Sequence, residues 1–572
     1  MTNECVSRTA REAGLAVSSA AGRPNATLGS RYLLAILIAG VVLRLWQYAA
    51  DTSLWLDEIK LAEHILSRPL AALLLKPLPS QAAPQGFLLI EKLAVSALGD
   101  DEHVLRLLPQ ACALVSLFLF CQVALRALRG PAVPFAVALF AMGIPFIVFG
   151  CRAKQYAGDV AAALFLTWLT LDLGSDATRR RYLLTGLAGL VIVGFSHAAV
   201  LSLAGLGAAL ATHLLLERRR RLPDGFAIMC VLWSLAVAAG TLAGIRGIAD
   251  QTRRGLHSYW ESGFMPLPPR NLTDVLWLWE RSRDVYASDT LQYVWPSLYT
   301  MLAVFGLWSL LGRRRLAGLI LLGPIVVTIG AAAAHVYPFQ DRLILFLVPS
   351  FILAVAAAAE ELRVWWTARS ALAGAAVMAL LVCPPVYALV ANPPVYRQED
   401  MKPVLAHVQE RRQPGDRVYV FHGAARVLRF YGPRYGFEPG TYVLGACHRE
   451  DPRASLREVD QFRGQPRVWV LFTHVRARFK EEEILISYLD RIGMRRDQLI
   501  VAGPGPRART RGAAAYLYDL TDGRRLASSS AETHPLPDLP PLGPLDRCSN
   551  APARRGSDPH AAIVRGFPSH AR

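Results

Sequence analysis

The chain has 572 residues, 53% of them hydrophobic and only 19% charged, with 62 basic against 44 acidic side chains and a formal net charge of +18. Soluble globular chains average roughly 45–50% apolar and about 25% charged residues, so this one is oily for its length. Disulfide miniproteins, fibrous repeats and wholly disordered chains are excluded. The uneven placement of charge, scarce before residue 392 and dense after it, predicts a membrane-embedded part followed by a soluble part.

Residues 1–31 read as a cytoplasmic N-terminal segment that lacks a cleavage signal. Eleven apolar windows follow, at 32–50, 104–128, 132–149, 157–173, 182–195, 199–216, 226–248, 291–311, 316–334, 343–358 and 371–390, each set against the roughly 17–25 residues that a span requires. The 35 residues from Tyr182 to Leu216 would extend about 52 Å as one helix, so they must turn back near Gly194–His197. With the N-terminus inside, eleven spans put Arg126/Arg129, Arg179–Arg181, Arg218–Arg221, Arg313–Arg315 and Arg363/Arg369 all on the cytoplasmic side. The window 85–98 carries Glu91 and Lys92 and would invert every later cluster if it crossed, so it reads as an interfacial helix within an outer loop at 51–103. The basic charge thereby records topology; no basic stripe interleaved with aromatics supports a nucleic-acid partner.

Asn392-Pro393-Pro394 ends the last span. From 392 to 521 the pattern alternates, with strands expected at 417–421, 467–473, 498–502 and 513–520 and helices at 399–412, 424–431 and 480–492. Such alternation predicts a periplasmic α/β domain with a largely parallel sheet, and Gly503-Pro-Gly-Pro506 reads as a turn. Residues 522–572, rich in Pro, Ser and Arg, read as a disordered tail. Cys447 and Cys548 lie in the outer part, where an oxidising setting permits them to pair. Asn271-Leu-Thr273 matches a glycosylation acceptor. No cysteine spacing implies a metal site, and no cofactor is expected.

A transporter or proton pump is expected to carry acidic residues at mid-membrane, and these spans hold almost none. The carboxylates stand at outer edges instead: Asp57-Glu58 after the first span and Asp159 at the start of the fourth, near Arg152, Lys154, Tyr156, Tyr337 and Arg342. That set suits sugar transfer from a lipid phosphate, with a carboxylate taking the acceptor proton and cations and phenols stabilising the leaving phosphate. Each residue also has a plainer reading. Asp57 could cap the helix that follows it, Asp159 could pair with Arg152 or Lys154, Arg342 could be an interfacial anchor, and His197 could be a hydrogen-bonded turn residue. Trp55, Trp260, Trp277, Trp279 and Trp295 could mark an aromatic belt.

Four stretches, taken in order, resemble the GT-C glycosyltransferases, in particular the bacterial family 39-like group with lipid A aminoarabinose transferases, rhizobial galacturonosyltransferase-like proteins and, more distantly, protein O-mannosyltransferases. They are Ser53-Leu-Trp-Leu-Asp57-Glu58, Pro84-Gln-Gly-Phe87 through Gly99 to Arg106-Leu-Leu-Pro109, Lys154-Gln-Tyr156-Ala-Gly-Asp159, and Tyr337-Pro-Phe-Gln-Asp341-Arg342 with Val348-Pro349. The resemblance covers most of residues 32–360 and implies a GT-C transmembrane domain over 32–391. It makes Asp57 the candidate base, Glu58 and Asp159 further acidic site residues, and Arg152, Lys154, Tyr156, Tyr337, Arg342 and His197 substrate contacts. One departure matters: aminoarabinose transferases carry a lysine just before the proline that aligns with Pro84, where this chain has Ala83 and its nearest upstream lysine is Lys76. The expected function is inverting transfer from a polyprenyl-phosphate sugar to an envelope acceptor at the periplasmic face of the bacterial inner membrane. A lipid-linked-sugar flippase and a non-catalytic membrane assembly protein are the alternatives.

Overall fold

A computed structural model of the chain describes residues 26–542 and 548, apart from 80, 174–176, 218–222, 224, 249, 288–290 and 504–511. Among the described residues the molecule is a multi-pass helical membrane protein with a C-terminal sheet domain. Helices stand at every predicted span: Ala26–Ala49, Glu102–Ala127, Ala132–Met142 with Ile144–Val148, Tyr156–Leu171, Arg179–Ile192, Ala199–Leu216, Phe226–Gly247, Pro296–Arg313, Arg315–Ala333, Val348–Thr367 and Ala371–Ala391. Seven stretches are long and apolar enough to cross a bilayer, or eight if the pair on either side of Gly143, bent by 54°, is one span. The helices Tyr156–Leu171 and Arg179–Ile192 have 16 and 14 residues, short of the about 20 that a straight crossing requires.

The bend at Gly143 has a covalent cause and an electrostatic consequence. Pro145, in the first turn of Ile144–Val148, has no N–H to continue the preceding ladder. At that break the Ala141 carbonyl accepts from the buried guanidinium of Arg44 at 3.2 Å, the Phe140 carbonyl, which also takes the Gly143 N–H, accepts at 3.4 Å, and Gly40 O accepts at 2.9 Å. A cation in the first span thus satisfies the end of a broken helix. Elsewhere the helices pack through small residues. A Cβ on Gly306 would collide with the Ala354 carbonyl of Val348–Thr367, and one on Gly205 with the backbone of Gly323 and Pro324 in Arg315–Ala333.

Residues 51–103 form the helices Leu56–Ser67, Leu70–Leu75 and Gln85–Leu98, the last matching the predicted interfacial helix. The C-terminal domain contains β1 (Arg417–Val420), β2 (Val443–Leu444), β3 (Val468–Phe472), β4 (Met494–Val501) and β5 (Ala513–Asp519), in the order β2-β1-β3-β5-β4. The sheet is mixed, which corrects the expectation of a largely parallel one. β1 runs parallel to β2 and β3, while β5 lies antiparallel to both β3 and β4. Short apolar runs register burial and carry no sign of strand direction. Gly503 apart, the predicted turn lies outside the described residues.

The two faces of the sheet bury different partners. Val418, Val420, Trp469 and Leu471 share one core with Leu54, Ile59, Ile65 and Phe87 of the 51–103 segment. Tyr419, Val470 and Phe472 pack with Leu456, Leu485 and Tyr488. Alternation along each strand sends successive side chains to opposite faces, so the domain is joined to the membrane part through a common core.

The tail also departs from expectation. Residues 522–542 lie on the domain: Gly523–Ser528 is helical, Ala531 and His534 are buried, and the Arg453 guanidinium donates to the Ala531 carbonyl at 3.0 Å. Cys548 is disulfide-bonded to Cys447. A Pro-rich composition misses this because the stretch folds by docking on an existing surface and needs no periodicity of its own. Residues 543–547 and 549–572 lie outside the description. Asn271 is a helix cap, its side chain accepting from the Asp274 N–H at 2.9 Å.

Because Gly306 lets two helices touch through their backbones, Gly306→Val should cost about 1–3 kcal/mol from overpacking. Thermal unfolding of the detergent-purified chain, followed by size-exclusion fluorescence, is expected to show a clear drop in midpoint. An unchanged midpoint would show that the close approach is absent.

Candidate functional site

The sequence Ser53-Leu-Trp-Leu-Asp57-Glu58 turns the chain from the first span into the helix Leu56–Ser67, whose cap position is Trp55. Asp57 and Glu58 are consecutive and so project about 100° apart around the helix. Glu58 points inward and is fully buried. Its Oε1 accepts from Arg106 Nε at 3.2 Å and the Ala153 N–H at 2.8 Å; its Oε2 accepts from Arg106 Nη2 at 3.2 Å, Arg152 Nη1 at 3.0 Å and the Trp55 N–H at 3.1 Å. Arg106 also donates to the Thr52 and Ser53 carbonyls at 2.6 and 3.1 Å. Burial opposes ionisation of Glu58, but Arg106 and Arg152, with the bonds from Arg106 and Ala153, outweigh it and hold its carboxyl below the usual range. Arg152 is committed there and to Gln398, at 3.3 Å.

Asp57 faces the other way, its side chain 24% exposed. The capping alternative does not describe it, because the residue that reaches back to the cap N–H is Glu58. Asp57 Oδ1 accepts from Gln81 Nε2 at 3.2 Å and lies 3.4 Å from Lys154 Nζ, while Oδ2 lies 3.6 Å from Arg342 Nη2. Burial again opposes the charge, yet Lys154, Arg342, the Gln81 bond and Lys60 together hold the Asp57 carboxyl well below the ordinary carboxylate range. Lys154 is buried among these groups and donates to Gln81 Oε1; burial, set against the pull of Asp57, moves its ammonium to a lower pKa than usual.

Arg342 is placed by aromatic rings. Its guanidinium lies over Trp55, Tyr156 and Trp260 at 5.4, 5.8 and 5.1 Å from the ring centres and donates to the Tyr156 hydroxyl at 2.9 Å. The guanidinium is thus held by side chains from three separate segments, with Trp55 and Trp260 packed against it. Trp277 is buried, while Trp279 and Trp295 are exposed.

Asp159 stands one turn beyond Tyr156 on Tyr156–Leu171, buried, with its Oδ1 accepting from Ser196 Oγ at 2.5 Å. It pairs with neither Arg152 nor Lys154, which Glu58 and Asp57 hold. The Tyr337 hydroxyl donates to the Leu343 carbonyl at 2.8 Å. His197 follows Ser196 in the turn that packs on the start of Gln85–Leu98, where the Gly86 N–H donates to the Gly194 carbonyl at 2.7 Å, and its imidazole is buried beside the Ala83 backbone. The structure therefore gathers Asp57, Lys154, Tyr156 and Arg342 at one point, sets Glu58 and Arg152 behind them, and leaves Asp159 and His197 in a neighbouring layer. No group of three or more His, Cys, Asp or Glu suited to a metal occurs among the described residues.

Other contributors have no sequence signal. Gln81 bridges Asp57 and Lys154 close to the position where the lysine of the resembling family is missing. Three side chains from beyond 392 fix the loop itself: Asp400 Oδ1 accepts from the Ser53 N–H at 3.0 Å, the Tyr431 hydroxyl from the Leu54 N–H at 2.8 Å, and Glu399 Oε2 from the Leu56 N–H at 3.5 Å. They are more than 340 residues away in sequence and follow no local pattern.

No family model and no curated protein matches the chain. Among solved structures it is similar to ArnT from Cupriavidus metallidurans in the apo state, at 12% identity over 86% of this chain and 98% of that one, with a TM-score of 0.46. The same protein bound to undecaprenyl phosphate gives 0.47 over the same shares. The Archaeoglobus fulgidus oligosaccharyltransferase in the apo form is 9% identical over 87% of this chain and 76% of that one, with a TM-score of 0.45.

Removing the Glu58 carboxylate would leave Arg106 and Arg152 buried without their counter-ion. Breaking such a pair typically costs about 3–5 kcal/mol, so Glu58→Ala should lose most of its folded yield, and Glu58→Gln should recover part of it by keeping hydrogen-bond capacity. Melting curves of both variants check this; wild-type stability for Glu58→Ala would contradict the network.

Proposed function

We propose that the chain is a lipid-linked-sugar glycosyltransferase, moving a sugar from a polyprenyl-phosphate donor to an envelope acceptor with inversion, and that Asp57 is its general base. The observation that carries this reading is the Asp57 clamp, a part-exposed carboxylate between two cations at 3.4 and 3.6 Å. Lys154 stands at the long end of hydrogen-bonding distance from Asp57 and Arg342 just beyond it. Neither cation is tightly bonded to the carboxylate, so the charge of both is available to a second anion placed beside it.

A donor phosphate is that anion. As Lys154 and Arg342 move their attraction to it, Asp57 loses the charges that depress its basicity, so the carboxylate becomes a competent base once donor is bound. The acceptor hydroxyl then attacks the anomeric carbon while Asp57 takes its proton; the bond from that carbon to the phosphate oxygen breaks, and the negative charge on the departing lipid phosphate falls to Lys154, Arg342 and the Tyr156 hydroxyl. Two cations and a phenol supply the charge that this step needs, and the proposal assigns no cofactor. Support also comes from the ordered motifs that resemble the GT-C group. Glu58 and Arg152 act in this reading as positioning residues, and Asp159, through Ser196, steadies the wall of the site.

The proposal places the chain in the bacterial inner membrane, N-terminus inside and the sheet domain in the periplasm. The basic clusters at span ends support that orientation, and the Cys447–Cys548 bond fits an oxidising compartment.

Asp57→Asn should lower transfer from a radiolabelled polyprenyl-phosphate sugar by about 100-fold or more; undiminished transfer by the purified variant would remove Asp57 from the mechanism. The base works ionised and its pKa is depressed, so kcat/KM should stay flat as pH falls and drop only below the ordinary aspartate value of about 3.9. In Lys154→Gln the acid limb should move upward in pH. An acid limb at the same pH in the variant would show that Lys154 does not tune Asp57.

A further inference from the structure

The C-terminal domain contains a second cluster of charge that the glycosyltransfer step does not use. β1 is the strand where the winding of the sheet reverses. From it the chain crosses through Ala425–Tyr431 to β2 on one side, then through Pro452–Asp460 to β3 on the other. The two connecting helices cover opposite faces, since Val427 and Leu428 join the core shared with the membrane part and Leu456 and Val459 join the other. In open α/β sheets, ligands bind in the crevice outside the carboxyl ends of the strands at such a reversal.

That crevice is lined with arginine and histidine side chains. His422 follows β1 and His474 follows β3. Between them Arg449 Nε donates to Glu481 Oε1 at 3.0 Å, and Arg449 Nη2 lies 3.4 Å from His422 Nε2. The Phe479 ring supports the Arg449 and Arg478 guanidiniums, at 5.5 and 4.5 Å. His448, Arg449, Phe479 and Glu481 line a cavity that Leu539 and Pro540 of the docked tail close from one side. One buried acceptor of this cavity, Glu481 Oε2, lacks a hydrogen-bond partner among the described residues. Burial first, then Arg449, His448, His474 and Arg476, drive the His422 imidazole down to about 3, and His448 Nε2 lies 3.1 Å from Glu458 Oε1.

The crevice also communicates with the loop that bears Asp57. His474 Nδ1 lies 2.8 Å from Glu399 Oε1, and the other oxygen of that carboxylate accepts from the Leu56 N–H at 3.5 Å. Arg426, at the start of the Ala425–Tyr431 helix, pairs with Glu63 at 3.6 Å on the helix that carries Asp57.

We propose that this crevice is an anion-binding subsite that holds a carboxylate or phosphate group of the saccharide acceptor. Its use by the acceptor rests on the glycosyltransfer reading; its binding of an anion does not. Guanidinium and imidazole donors converging beside one carboxylate are the chemistry that grips such groups, and the spare acceptor Glu481 Oε2 suits a sugar hydroxyl.

Isothermal titration of the purified full chain with inorganic phosphate and, separately, with glucuronate distinguishes the two sources of the anion. At least one probe should bind saturably to the wild type and lose affinity by about tenfold or more in both His422→Gln and Arg449→Gln. Arg449→Gln strips Glu481 of its partner and can unfold the domain, so the milder His422→Gln, checked by its melting curve, decides in that case. The proposal is overturned if neither probe binds, if the folded variants bind as the wild type does, or if binding survives in both and vanishes only in Arg342→Gln, which assigns the anion to the Asp57 site. Since titration needs no turnover, a chain that binds a probe at His422 but transfers no sugar would retain the crevice and lose the glycosyltransfer reading.

Discussion

Everything at the site hangs on one buried carboxylate. Glu58 joins a residue of its own loop, Trp55, to Arg106 on the next span and to Arg152 and Ala153 in the following loop. Taking such charges out of water costs several kcal/mol per ion unless geometry and hydrogen bonds compensate. Here the Glu58 oxygens accept five bonds and Arg106 adds two carbonyls, so the network is satisfied only when these segments lie in one arrangement. That arrangement carries Asp57 and Lys154 into proximity, because each is a neighbour in sequence of a network member.

The sheet domain belongs to the same construction. Its core continues into the 51–103 segment, and Glu399, Asp400 and Tyr431 receive backbone N–H groups from the residues just before Asp57. Polar main chain in a buried loop must find partners, and those partners come from the far end of the sequence. The same contacts join the end of β3 to the loop of Asp57, since Glu399 meets both His474 and the Leu56 N–H.

The positions of the spans were legible in the sequence because charge is excluded from hydrocarbon and basic residues gather at span ends. That Asp57, Lys154, Tyr156 and Arg342 come together was legible too, since acidic residues are scarce enough near the ends of the apolar helices to stand out. The division of labour between Asp57 and Glu58 was not, because adjacent carboxylates look alike until the helix turns one inward. The stacking of Arg342 on Trp55, Tyr156 and Trp260 needs three distant segments to meet, and the same tryptophans fit an aromatic belt equally well on paper. The mixed sheet escaped notice because apolar strands do not encode direction, and the docked tail because its order is borrowed from the domain beneath it.

In the proposed mechanism the base stays quiet until donor binds: Lys154 and Arg342 hold Asp57 ionised and weakly basic, and a donor phosphate that draws on the same cations restores its basicity. The most direct measurement is the pKa of the Asp57 carboxyl, read by difference infrared spectroscopy against Asp57→Asn, with and without undecaprenyl phosphate. The account predicts a carboxyl that titrates below the ordinary aspartate range in the empty protein and moves upward when the lipid phosphate binds. A pKa that stays put or falls on binding would contradict it.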